Sequence, residues 1–304
     1  MPDGRDSLAC FVVTATISVL HATDPGCPWA YSAAPAHAVL SWRYGDQLAW
    51  QLAMIGLTED AAAYDARGYT PERGARGYLS FRRYGMPFDT QPRERNIATG
   101  RACRAIVAAR LADPASELPA FRALQIARFT TTALFDTDDG IRAALAAADG
   151  LDADAIVAAI DDPATEAAYQ ADRALVRTAA GTPTEFQGKA ANSDGAVRYT
   201  APSLIFTHGD GRTLEAGGFQ SAEAYDVIIA NLDPALDRRP PAEDVTEVLG
   251  ILPFPLTTRE VAAVMAPHLV EPDERTAEEA LIAAAAAGAV RRESVGGGAL
   301  WRAA

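Results

Sequence analysis

The residue types best placed for chemistry lie in Asp24-Pro25-Gly26-Cys27-Pro28-Trp29-Ala30-Tyr31. A β-rich run precedes this stretch and a helical pattern follows it. Cys27 therefore stands at a helix N-terminus, where free N–H groups and the positive end of the helix dipole favour thiolate over thiol. Pro28 suits the first helical turn, where its missing N–H costs nothing. The expectation is an activated thiol with Trp29 as an aromatic wall beside it. His21, near the end of the preceding run, is a candidate partner for the thiolate. The plainer readings are a packed cysteine and a satisfied rim histidine. No pair among His21, His37, His208 and His268 has metal-ligand spacing, so no metal is expected. Gly217-Gly218 and the run at Gly296 lack the strand-to-helix setting of a phosphate loop.

The elements that must hold this turn follow from patterning. Cys10 to His21 is apolar and rich in Val, Thr and Ile, as expected of a central strand buried on both faces. Tyr31 to Tyr44 reads as a helix that ends at Gly45-Asp46. Gln47 to Leu57 alternates as a second strand. This is a βαβ unit with the thiol at the carboxyl end of its first strand, where ligands sit in open α/β sheets. Thr58 to Asn96 reads as a long irregular stretch that interleaves Tyr and Phe with Arg, including Arg67, Arg73, Arg93 and Arg95. Such a mixture suits an anionic ligand. Equally, the aromatic residues could pin the loop while the arginines face water.

From Thr99 to about Ala180 the period is helical, with about five segments separated by Asp/Pro/Gly breaks. Strand character returns over Arg198–Phe206. Asp210-Gly211 is a two-residue hairpin signal, Thr213–Gly218 its return strand, and Ser221 opens a helix to about Leu232. After the linker-like Asp237-Arg238-Arg239-Pro240-Pro241, a helix from Thr257, a second over Thr276–Ala289 and a wing folded over Gly296-Gly297-Gly298 resemble a small winged-helix module. Residues 243–302 hold ten acidic against five basic side chains, so this module is a poor match for DNA and a better one for docking or dimerisation.

Composition sets the outer limits. The chain has 304 residues and a net charge of −13, which argues against nucleic acid as the main partner. Lys189 is its only lysine. Three cysteines without regular spacing do not make a disulfide framework and fit a reducing compartment. The apolar run Leu8–Ala22 lacks a positive leader, so it is expected to be a strand, not a signal peptide, and the protein cytoplasmic. No run of 18 or more apolar residues predicts a membrane span.

The order β–α–β, helical insertion, β–β–α, with Cys-Pro-Trp after the first strand, resembles the thioredoxin superfamily and, within it, the DsbA-like group. That group includes the FrnE-like dithiol oxidoreductases, the kappa-class glutathione transferases and the 2-hydroxychromene-2-carboxylate isomerases. Four places across roughly residues 8–235 carry the resemblance: the Cys27-Pro28-Trp29-Ala30 turn; Tyr84-Gly85-Met86-Pro87-Phe88 with Pro92 and Asn96; the helical block; and Thr200-Ala201-Pro202. It implies an α/β, thioredoxin-like fold. Residues 1–57 and 183–236 would form the core, 58–182 the loop and helical insertion, and 237–304 the winged-helix-like module. It implies that Pro202 is cis and faces Cys27, and that Ala201 offers its backbone to a bound thiol. Pro28, Trp29, Ala30, Met86, Pro87 and Asn96 would complete the thiol and substrate site.

Ala30 stands where the dithiol members carry their second cysteine, so no disulfide can close within the turn. Cys27 would then be a monothiol nucleophile, a contact for a cofactor thiol, or a relic in a binding protein. Cys103 or Cys10 as a remote resolving thiol is a weaker option, because buried free cysteines usually just pack. The resemblance implies a thiol-disulfide oxidoreductase, or a transferase or isomerase. Its cofactor would be a low-molecular-weight thiol, glutathione or mycothiol, with a small acceptor substrate as partner. A homodimer or protein partner would use the C-terminal module.

Overall fold

The computed structural model describes residues 16–192 and 195–304. Cys10 and the first half of the Leu8–Ala22 run lie outside the described residues. The first strand is β1 (Ile17–Thr23), followed by α1 (Pro28–Ser32), α2 (Ala34–Tyr44) and β2 (Leu48–Met54). β1 and β2 run parallel, with Ile17 opposite Leu48 and His21 opposite Leu52. Parallel strands need a crossover, and α1 with α2 supplies it. The single helix expected over Tyr31–Tyr44 is two, parted at Ala33. Pro35 has no N–H to return to the preceding turn, so the ladder breaks there.

The stretch 58–96 is more ordered than its sequence suggests. It contains α3 (Ala62–Ala66) and α4 (Pro71–Phe81). Gly74 and Gly77 dilute the helical pattern of α4. Thr70 nevertheless caps it, its hydroxyl accepting from the Arg73 N–H at 3.1 Å, with Pro71 in the first turn. Then come α5 (Gly100–Ala112), α6 (Glu117–Thr130), α7 (Asp138–Ala146), α8 (Ala153–Ala158) and α9 (Pro163–Leu175). Ile106, Leu124, Phe135, Leu145 and Tyr169 give these helices a core of their own.

After α10 (Pro183–Phe186) and the short pair β3 (Ala190–Ala191) and β4 (Arg198–Tyr199), the chain returns to the main sheet as β5 (Ser203–His208) and β6 (Thr213–Ala216). The sheet order is β2-β1-β5-β6, with β5 antiparallel to both its neighbours. α11 (Ala222–Leu232) follows, capped by the Ser221 hydroxyl. Because side chains alternate along a strand, β1 serves two layers. Ile17 and Val19 pack with Leu40 of α2 and with Tyr225 and Ile229 of α11. Ala22 points the other way and packs with Ala53, Val176, Tyr199 and Ala201.

The last segment contains α12 (Val245–Val248), β7 (Leu256–Thr257), α13 (Thr258–Met265), α14 (Glu274–Ala286), β8 (Val290–Val295) and β9 (Gly298–Ala303), with sheet order β7-β9-β8. Thr257 and Glu260 form a capping box at the start of α13. The apolar face of this segment is covered by the chain itself. Val245, Val261, Leu281 and Trp301 pack with Val39 and Trp42 of α2. The Trp42 Nε1–H donates to the Pro240 carbonyl at 2.7 Å, and Arg239 lies 3.9 Å above the Trp42 ring. No helix among the described residues is long and apolar enough to cross a membrane.

Candidate active site

Cys27 is the N-cap of α1, and its side chain is buried. Its thiol donates to the Ala201 carbonyl at 3.2 Å, and the Ala201–Pro202 peptide bond is cis. The activation expected from the helix end is overturned. The N–H groups of Ala30 and Trp29 do pull the thiol pKa down, but burial outweighs them and, with the nearby Asp24 charge, pushes it up to about 12. α1 is a single five-residue turn, too short for its dipole to win against desolvation. Burial therefore favours the thiol form of Cys27 at neutral pH.

His21 does not reach Cys27. It lies on the opposite face of β1 from Ala22, the residue that packs with Cys27 and Ala201. Its ring meets His37 at 4.6 Å and Phe121 at 6.1 Å. Burial lowers its pKa well below the usual range, with His37 adding to the effect. Cys103 is fully buried, its thiol 3.5 Å from Asp24 Oδ2, and burial raises its pKa.

Asp24 is the residue that sequence reasoning missed at this turn. It is fully buried. Its carboxylate accepts from the N–H of Gly26 at 2.8 Å, the N–H of Leu57 at 2.8 Å, the Thr99 hydroxyl at 2.9 Å and the Cys103 thiol. One side chain thus ties the turn to the end of β2 and to the start of α5. Burial raises its pKa, and these four donors oppose the rise. The readable signal was local: an Asp before Pro-Gly closes an Asx turn onto the N–H two residues on.

Ala30 is buried in the same cluster as Cys27, Ala201 and Tyr199. Trp29 is 39% exposed and stands against Phe81, Tyr84 and Phe219 at centroid distances of 4.9, 5.7 and 5.6 Å. On the other side of the turn, Gly26 and Pro28 form part of the wall of a pocket of about 390 Å³. Tyr64, Tyr69, Tyr78, Arg73, Arg93 and Arg128 also line it. Asn96 lies in this wall too, but its amide is engaged by Asp65 at 2.7 Å and the Tyr69 carbonyl at 2.8 Å. Met86 and Pro87 are elsewhere. The Met86 sulfur accepts from the Thr257 hydroxyl at 3.4 Å, the Pro87 carbonyl accepts from Tyr31 at 3.1 Å, and both residues face the C-terminal segment.

The pocket is cationic. Arg95 is neutralised by a bidentate pair with Asp136. Among the described residues, Arg73, Arg93 and Arg128 have no carboxylate in ion-pair contact. Arg73 lies 4.6 Å over Tyr69. Arg93 donates to the carbonyls of Thr131 and Arg128, and burial together with the Arg128 charge pushes its pKa down to about 10. The Tyr64 hydroxyl is pushed up to about 12, mainly by burial and then by Asp24, with Arg128 opposing. Arg128 came from a helix outside the Arg/aromatic stretch, so no local pattern marked it. Three guanidinium groups beside tyrosines suit a carboxylate or other anion.

A family model of the DSBA-like thioredoxin domain matches residues 23–201, from the last residue of β1 to the residue before the cis proline. The chain belongs to the DSBA-like thioredoxin family. Solved structures of this family are similar to it in fold. A Nitrosomonas europaea protein described as a disulfide isomerase shares 17% identity at a TM-score of 0.53, covering 71% of this chain and 97% of its own. The cytosolic disulfide reductase DsbM of Pseudomonas aeruginosa shares 18% identity at a TM-score of 0.50, covering 72% and 100%. A Streptomyces coelicolor protein described as a DsbA oxidoreductase shares 17% identity at 0.50, covering 75% and 93%. No curated protein matches the chain. The fold is the thioredoxin-like fold of DsbA, and Ala30 in place of the second cysteine sets this chain apart from a dithiol turn within it.

Proposed function

We propose that this DSBA-like chain is an enzyme that uses a low-molecular-weight thiol, and that Cys27 serves the cofactor sulfur as a hydrogen-bond donor. The observation that carries this reading is a buried Cys27 whose thiol already has an acceptor in the Ala201 carbonyl, in a setting where burial favours the protonated form. A cofactor thiolate arriving beside Pro202 would take over that hydrogen bond and be held as the anion that attacks an electrophilic acceptor. Trp29 would wall the approach, and Ala30, lacking sulfur, would leave Cys27 no neighbour for an internal disulfide. Arg73, Arg93 and Arg128 would take the anionic groups of cofactor or acceptor. Glutathione, with two carboxylates, suits them directly. With mycothiol, which has none, they would be left for an anionic acceptor. A reducing, cytoplasmic setting is part of this proposal.

The test is Cys27→Ser against wild type. The expected result is glutathione binding retained within about tenfold in the variant, since a hydroxyl also donates. Wild-type Cys27 should alkylate with an apparent pKa well above the free-thiol value of about 8.5. A stable mixed disulfide with oxidised glutathione on wild type, absent from the variant, would overturn the donor role in favour of monothiol exchange. Failure of both glutathione and mycothiol to bind would leave a binding protein without thiol chemistry.

A further inference from the structure

α4 forms one wall of the cationic pocket beside Cys27, and Gly74 and Gly77 stand in the interior of that 11-residue helix. Glycine is the poorest helix former after proline, so a glycine kept there needs a local reason. Packing does not supply one. A Cβ placed on either residue would meet no atom within 4 Å among the described residues. Neither adopts the positive φ that only glycine tolerates well. The buried face of α4 is carried by Ala75 and Tyr78. Gly74, Gly77 and Phe81 follow the three- and four-residue spacing of one helix face, and all three border the pocket.

A face without these two Cβ atoms bares the helix backbone and lets a ligand come closer than alanine would allow. Tyr64 and Tyr69 supply rings to the same pocket, their centroids 5.6 Å apart. Bare backbone and aromatic rings together suit a flat, conjugated ring system. The charge of the wall is one-sided. It holds four arginines and no acidic residue, in a chain that carries 40 acidic and 27 basic residues. Asp136 compensates Arg95. Arg128 sits close enough to Arg93 for its charge to add to burial in depressing the Arg93 pKa. Water can solvate Arg73, Arg93 and Arg128 but cannot neutralise them. One negative charge would leave two of the three unmatched, and two would leave one.

We propose that this pocket binds a flat aromatic acceptor bearing two negative charges, and that Gly74 and Gly77 set its selectivity for a flat ring. Its volume of about 390 Å³ lies within the roughly 300–1,000 Å³ of small-molecule sites. The proposal rests on the reading of this pocket as part of the thiol site and narrows it: the arginines serve the acceptor, and the cofactor keeps to the Pro202 side. Glutathione carries the charges but has no flat face to lie on the bared helix. Gly26 and Pro28 belong to the wall, so an acceptor seated here lies against the turn that carries Cys27.

The test is calorimetric titration of the full chain, without added thiol, with naphthalene-2,6-dicarboxylate and 1-naphthyl phosphate. The controls are 2-naphthoate, which has one charge, and trans-cyclohexane-1,4-dicarboxylate, which has two but no flat ring. At least one dianionic naphthalene is expected to bind saturably, and each control to bind at least tenfold more weakly. Gly74→Ala and Gly77→Ala should each weaken that binding by tenfold or more while the thermal midpoint stays the same or rises, because alanine is the better helix former. A purely structural role for the glycines would instead lower the midpoint and spare the affinity. Reduced glutathione should not displace the bound probe. Thiol binding is scored separately: a chain that holds the dianion but neither glutathione nor mycothiol keeps this pocket and loses the thiol reading. No saturable binding of either dianion, equal binding of a control, undiminished affinity in both glycine variants, or displacement of the probe by glutathione would each overturn the proposal.

Discussion

His21 and Asp24 stand three residues apart at the carboxyl end of β1, both buried, and the fold treats them in opposite ways. Every lone-pair direction that matters on Asp24 is met: two backbone N–H groups, a hydroxyl and a thiol converge on it. His21, with His37, Gln125 and Arg122, keeps a nitrogen with no hydrogen-bond partner among the described residues. The first arrangement fixes geometry, since the turn carrying Cys27 cannot shift without breaking several bonds together. The second leaves nitrogens shut away from solvent without a partner among the described residues. Satisfaction of buried polar groups sets the turn that carries Cys27 apart from the histidine pair packed on the other face of β1.

The contrast can be pushed first with acid. His37 titrates near 4 in the folded chain and near 6.5 when unfolded, so the unfolded chain takes up its proton first. The stability this histidine withholds is absent as a penalty above pH 6.5 and grows as pH falls, reaching about 3 kcal/mol below pH 4. His37→Phe should remove that loss, read as urea midpoints between pH 7.5 and 4. Parallel losses in wild type and variant would show that this imidazole is not held neutral by the fold.

Asp24→Asn comes next, with an expected cost of about 1–3 kcal/mol at neutral pH, because an amide cannot accept at both former oxygen positions. The pH dependence has the opposite sign to that of His37. The folded carboxyl has the raised pKa, so stability is greatest below the unfolded value of about 3.9 and declines as pH rises through the folded value. The variant should flatten that decline. It should also lower the apparent pKa for Cys27 alkylation, since the Asp24 charge is one of the groups raising it. A Cys27 profile that does not move would remove Asp24 from the thiol's electrostatics. The smallest effect is expected from Thr99→Val, which deletes one of the four donors and should cost about 1 kcal/mol in chemical denaturation.

The apolar run of β1, the alternation of β2, the Asp210-Gly211 hairpin, the start of α13 near Thr257 and the helical block of about five segments were legible because each is a local pattern with a local cause. The Cys-Pro-Trp turn and the Ala201-Pro202 segment were legible as a resemblance. The state of Cys27 was not. Helix-end activation is a local expectation, whereas burial depends on Val176, Tyr199 and Ala201, which are distant in sequence. The same holds for α4, whose glycines hid it, and for Arg128, which joins the cationic pocket from α6. Gln125 and His37 belong to helices that read as ordinary, and only the packing of α2, α6 and the C-terminal segment brings these residues to the wall of one cavity.

Glu260 carries a last consequence. It caps α13 through Thr257 and also accepts from Arg122 of α6, 138 positions earlier in the chain. Both side chains are almost wholly buried. A C-terminal segment docked without an acid at this position would leave the Arg122 guanidinium buried and unpaired, a loss far greater than that of an exposed ion pair. The C-terminal segment and α6 are therefore heritable only together. Exchange of this tail between relatives would have to carry a matched Arg–Glu pair across the junction, and a tail lacking the acid would be rejected by the body it was joined to.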